Sequence, residues 1–185
     1  MKNLSYKILK FLRFSQYVED EKGMSFTETA ILFPVLLSMM MAVYDLGQGV
    51  VINQKTVAAS QVIADLVTRN EVVDMDLITD IVNAGELAFA PYSITSFGYD
   101  IASVEFDEDS DPVILWRVTE NMDQGDTAIE STSGLGEEGE GVVVVSVVYE
   151  YEPFFSNFVV DTINMNELAF LRGRKSLTVP CADCP

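Results

Sequence analysis

Sixteen consecutive uncharged residues, Thr29 to Tyr44 (TAILFPVLLSMMMAVY), stand between Glu28 and Asp45, and this run limits what the chain can become. It is too apolar for an ordinary surface helix. At about 1.5 Å per residue it covers roughly 24 Å, short of the roughly 30 Å hydrocarbon layer of a bilayer. Adding Met24 to Phe26 on one side and Leu46 to Ile52 on the other completes a span. Residues 24–52 therefore read as a transmembrane helix, carried by Phe26, Ile31, Leu32, Phe33, Pro34, Val35, Leu36, Leu37, Met39, Met40, Met41, Val43 and Tyr44. The three methionines suit a face that slides between lipid and protein, or serve as plain apolar filler. The cost of the span is Glu28: an ionised carboxylate inside a spanning helix is unfavourable by several kcal/mol unless paired. It either snorkels to the interface or has a dedicated partner.

Charge sets the topology. Lys2, Lys7, Lys10, Arg13 and Lys22 precede Gly23, which leaves six basic residues against twenty-six acidic ones for the remainder. Basic residues beside a span favour the cytoplasmic side, so the expected arrangement is amino terminus inside and bulk outside. The acidic bulk repels nucleic acid and anionic lipid headgroups, which excludes a nucleic-acid role. Within the leader, Ser5 to Phe14 sets Lys7, Lys10 and Arg13 at intervals of three among apolar residues. This is either an amphipathic stretch lying on the inner leaflet or simply a positive flank. The leader is unlike an ordinary secretory signal, because the apolar run lies beyond it and no small-x-small cleavage site follows.

Past the anchor, Ile52, Ala59, Val62, Ile63, Leu66 and Val67 recur at helical spacing, which predicts an amphipathic continuation to about Arg69. A second helix is predicted from an Asp74 N-cap to about Phe89, stopped by Pro91. From Ile94 the period becomes two. Phe97, Tyr99 and Ile101 on one face, then Val104 and Phe106 on the other, suggest a strand with a bulge near Ala102. Val113 to Val118 is a second strand with Ile114, Trp116 and Val118 aligned, and Thr119 to Gly141 a mobile or exposed acidic loop. Val142 to Tyr151 is apolar on both faces, as a strand in the middle of a sheet must be. Phe154 to Val160 reads as a short helix or loop crossing, and Leu168 to Val179, interrupted by Gly173, as a last strand. The predicted fold class is α+β: a long amino-terminal transmembrane-plus-amphipathic helix and a second helix packed on a small, mainly antiparallel sheet. The organisation is a basic cytoplasmic leader over 1–23, the span over 24–52, and an extracytoplasmic domain over 53–185 with its loop at about 119–141.

Little in the chain suggests catalysis. It has no histidine, so Ser-His-Asp and Cys-His arrangements are excluded, and no cofactor motif survives inspection. Gly134 to Gly139 fits G-x-G-x-x-G, but Glu137 and Glu138 would repel phosphate. Asp107, Asp109 and Asp111 alternate as in the start of a calcium loop, but Pro112 and Val118 occupy the glycine and glutamate positions, leaving only a weak calcium candidate. Cys181 and Cys184, the two cysteines, lack the further ligands a zinc site needs. In an oxidising compartment they could form a disulfide that acts as a terminal staple; free or intermolecular thiols are the alternative.

Gly23 followed by a hydrophobic residue, with Glu28 at the fifth position beyond it, resembles the cleavage site of type IV prepilins and pseudopilins. Pro34, six residues after Glu28, and the block Tyr44-Asp45-Leu46-Gly47-Gln48 resemble the TadE-like family of Tad/Flp pilus assembly proteins. The chain departs from that pattern at Thr29, Asp45 and Gln48. Val142 to Pro153 and Leu177 to Pro180 are similar to that family's valine-rich strand, tyrosine-proline segment and last strand. The resemblance implies a non-enzymatic, single-pass pseudopilin of the bacterial inner membrane with a periplasmic domain. It implies cleavage between Gly23 and Met24 by a prepilin peptidase. Implied partners are other pilins or pseudopilins, the Tad assembly machinery and membrane lipid, with Glu28 pairing with the new amine at Met24. The reading from a different class is an uncleaved, anchored periplasmic module whose acidic loops bind calcium or a basic partner.

Overall fold

A computed structural model describes residues 21–155 and 160–185, with side chains from Phe26 onward. The basic stretch from Ser5 to Phe14 and the middle of the Phe154 to Val160 crossing lie outside the described residues. The fold is α+β, in the order α1 (Glu21–Thr68), α2 (Met75–Leu87), β1 (Gly98–Phe106), β2 (Pro112–Glu120), α3 (Asp126–Glu130), β3 (Gly141–Tyr151) and β4 (Ile163–Arg172). The chain divides between Asp45 and Leu46 into two compact units.

The first unit is helical throughout its described part, with Pro34 inside α1. Proline removes one backbone donor from the helical ladder. Ser38, one turn further on, donates its hydroxyl to the Val35 carbonyl at 2.9 Å.

The second unit is built on a four-stranded antiparallel sheet in the order β2-β1-β3-β4. The doubly apolar β3 lies inside it between β1 and β4, as its composition requires. One face carries Tyr99, Ile101, Val143, Val145, Val147 and Tyr149, and packs in a single cluster with Ile52, Ala59, Ile63 and Val67 of α1 and Ile78, Ile81 and Val82 of α2. The two helices meet closely: a Cβ placed on Gly85 would lie 2.6 Å from Ile63 Cγ1. The opposite face buries Ala102, Val104, Phe106, Val142 and Val144 under Ala128 and Ile129 of α3.

Helix α2 starts where the sequence indicates, with the Asp74 carboxylate accepting from the Leu77 N–H at 2.8 Å. Two strand expectations need correction. Strand β1 alternates without a bulge; the irregularity is in β2, where Ser103 pairs with Trp116 but Val104 pairs with Ile114. Leu115 is thus the extra residue, which turns Ile114 to the face opposite Trp116 and leaves it exposed. The last strand spans Ile163–Arg172, earlier than Leu168 to Val179. As an edge strand it needs little apolar signal at its polar start, whereas Val179 is apolar because it is buried beneath Trp116. The stretch from Thr119 to Gly141 is largely exposed, as expected, but it also contains α3 and buries the side chains of Ala128, Ile129 and Thr132.

Candidate functional site

The residues expected to act are spread over three places. The first is the anchor. Among the described residues one helix, near the amino terminus, is long and apolar enough to cross a membrane, consistent with a single-pass protein. Most of its large apolar side chains are turned outward: Phe26 is 76% exposed, and Ile31, Leu32, Phe33, Val35, Leu36, Met39, Met40, Val43 and Tyr44 are more than half exposed, while Leu37 and Met41 are half-buried. Apolar side chains so widely exposed are suited to lipid or partner helices as their surroundings. Gly23 and Met24 lie in the first turn of α1, and Glu28 follows Met24 by four residues on the same continuous helix. That spacing puts positions 24 and 28 on one helical face, so an amine created at Met24 would stand one turn from the Glu28 carboxylate.

The second place is the acidic turn between β1 and β2. Here Asp107 accepts from the backbone N–H groups of Asp109 and Asp111, each at 2.9 Å, and Asp111 accepts from the Ser133 hydroxyl at 2.9 Å. This is an Asx-type turn, in which a side chain satisfies the backbone of its own loop. Asp107, Asp109 and Asp111 are not gathered as a ligand set; among the described residues the group that does converge is Cys181, Asp183 and Cys184.

In that third place the two sulfurs are joined as a disulfide, with Cα atoms 5.6 Å apart. The tail it closes is docked on the start of α2. Val73 donates to the Pro180 carbonyl at 3.0 Å, Ala182 donates to the Val73 carbonyl at 2.9 Å, and the Asp183 carboxylate accepts from Met75 N–H at 2.8 Å. A carboxylate at a helix amino terminus satisfies an orphan donor and complements the helix dipole. Trp116 Nε1 donates to the buried Val179 carbonyl at 2.7 Å, fastening the same tail to β2. Leu177 to Pro180, expected as a strand, is this tail.

The main polar centre lies outside all of the residues expected to act. Asp100 of β1 is 4% exposed and accepts four hydrogen bonds: from Arg117 Nε at 2.9 Å, Arg117 Nη2 at 2.7 Å, Thr119 Oγ1 at 2.7 Å and Gly125 N–H at 2.9 Å. Arg117 extends to Asp126 at 2.6 Å. Burial pushes the Asp100 carboxyl up, but the bonds from Arg117, Gly125 and Thr119, with the Arg117 charge, outweigh it and hold the group below the ordinary carboxylate range. The cluster fastens the segment that leads into α3 onto the sheet. Its signal was the one basic residue in β2 and the one carboxylate near the start of β1, but their pairing depends on register.

Beside it, Tyr99 donates to Glu120 Oε2 at 2.7 Å. Burial, that bond and the charges of Glu120 and Glu86 raise the Tyr99 hydroxyl above its usual range. An open groove of about 560 Å³ runs between α3 and β3–β4, bordered by Met122, Ala128, Val148 and Leu168. Its Ser146 and Asn166 side chains are hydrogen-bonded to each other at 3.1 Å. Comparison with protein-family models, with curated proteins and with solved structures returns no match.

Proposed function

We propose that the chain is a TadE-like pseudopilin: a non-enzymatic, membrane-anchored component that helps to build or anchor a Tad/Flp-type pilus. A prepilin peptidase hydrolyses the Gly23–Met24 peptide bond from the cytoplasmic face, discards the basic leader and leaves Met24 as the amino terminus. The anchor stays in the inner membrane and the α+β unit lies in the periplasm. Glu28 then pairs with an amine at Met24, of its own or a neighbouring subunit, and fixes axial register while the outward apolar side chains pack against other pilin-like helices. The observation that carries this reading is the combination in α1 of Gly23 and Glu28, five residues apart, with a largely exposed apolar surface. The Cys181–Cys184 bond is in keeping with an oxidising compartment. The calcium-binding alternative is less favoured, because the Asp107 carboxylate is engaged by its own turn.

The test is the intact mass of the protein purified from its own membranes, beside a Gly23→Val variant. A species beginning at Met24, abolished by the substitution, is expected. A full-length species, under conditions where a control prepilin is cut, would overturn the proposal.

A further inference from the structure

The two edges of the sheet are finished differently. Unpaired N–H and C=O groups along an edge accept a further strand, and natural sheets block them with proline, bulges, charged side chains or a covering segment. Edge β2 has three such devices: Pro112 begins it, Leu115 is an extra residue within it, and the Pro185 carbonyl approaches Arg117 N–H at 3.5 Å. Edge β4 lacks all three. Its sequence, INMNELAFLR, contains no proline, and it pairs with β3 in unbroken register from Arg172 to Ile163. Among the described residues, no backbone hydrogen bond joins residues 163–172 to anything but β3.

The side chains of β4 alternate between its two faces. On the face shared with α3, Phe170 lies opposite Val144 and Leu168 opposite Ser146; they are 39% and 44% exposed. Leu168 also borders the groove of about 560 Å³ that Ala128 and Val148 line. On the face covered by α1 and α2, Glu167 stands half-buried opposite Val147. Among the described residues neither Glu167 nor Asp123, which borders the groove, has an ion-pair partner. Arg172, the one cation of the strand, is bonded to Glu140 at 3.0 Å. A second copy of the chain fits this edge poorly. The two longest face-matched antiparallel registers of β4 with itself set Glu167 directly opposite or diagonal to its own equivalent, and like charges so placed repel.

We infer that β4 is a docking edge for an extended segment of a partner protein, which adds a fifth strand to the sheet. The segment is apolar at alternate positions and carries Lys or Arg where it passes Glu167 and Asp123. Its main chain completes the ladder of β4, and its apolar side chains lie beside Leu168 and Phe170 at the mouth of the groove. The basic residues come from the partner because the chain has few to spare: six against twenty-six acids after Gly23. The second unit supplies the whole surface, whatever the anchor does.

The experiment uses the full chain in a zwitterionic detergent and a short designed peptide in which lysine alternates with valine or phenylalanine. Two control peptides accompany it: the same sequence N-methylated throughout, which has no main-chain donor, and its glutamate counterpart. Binding is read by amide hydrogen exchange. The lysine peptide is expected to slow exchange within residues 163–172 severalfold and to leave residues 112–120 unchanged, while both controls have no effect. Leu168→Lys, at an exposed position, should abolish the protection without moving the urea midpoint read by Trp116 fluorescence. Should that variant unfold, the peptide comparison decides by itself. Equal protection by the N-methylated or the glutamate peptide overturns the inference, as does protection of β2 in place of β4, or of neither. Exchange at residues 163–172 that slows with protein concentration alone gives the edge to a second copy and overturns it as well.

Discussion

Replacing Asp100 by asparagine should destabilise the second unit severely. The carboxylate accepts two bonds at each oxygen: Arg117 Nε and Thr119 Oγ1 at Oδ1, and Arg117 Nη2 and Gly125 N–H at Oδ2. An asparagine oxygen can keep one pair, but its NH₂ must then face two donors and the Arg117 guanidinium loses its buried counter-charge. Breaking a buried pair by altering one partner costs about 3–5 kcal/mol. A domain of this size is stable by roughly 5–15 kcal/mol, so the loss is about a fifth or more of the total. Trp116, the single tryptophan, is buried and next to Arg117, and its fluorescence during urea titration of the full-length protein in detergent reports the change.

Arg117→Met should cost a similar amount, and the double variant less than the sum, because neither partner is then left charged and alone. The pH dependence follows from the depressed Asp100 carboxyl. Its contribution is fully present above the unfolded aspartate value of about 3.9 and is lost as pH falls through the lower folded value. The gap between the wild type and Asp100→Asn should therefore narrow below about pH 4. A gap under about 1 kcal/mol at pH 7, or one that does not change on acidification, would refute the reasoning.

Two further substitutions test the packing. Gly85→Ala forces a methyl to within 2.7 Å of both Ile63 Cγ1 and Cδ1, and should cost about 1–3 kcal/mol in urea unfolding unless Ile63 changes rotamer. Trp116→Phe strands the buried Val179 carbonyl and should cost about 1–3 kcal/mol, with faster amide exchange over residues 177–185 than elsewhere.

The parts of this protein legible in its sequence are those governed by local periodicity and local chemistry. The apolar run of α1, the Asp74 cap of α2 and the two-faced valine pattern of β3 each carry their information within a few neighbouring residues, and each is found where the pattern puts it. Where tertiary structure decided, the determining partner lies far away in the chain. The extra residue Leu115 is set by pairing with β1, and it alone determines that Ile114 faces away from Trp116. The apolar residue Val179 belongs to a tail beneath Trp116, a distinction that periodicity over so short a stretch cannot make. The Asp100–Arg117 pair spans seventeen positions, and the tail contact from Asp183 to Met75 spans one hundred and eight. A buried ion pair needs both charges desolvated together, and only the closed sheet with α3 laid over it supplies that environment. The sequence alone determined that this chain carries one helix long and apolar enough to cross a membrane; the tertiary structure decided which of its many acids became structural.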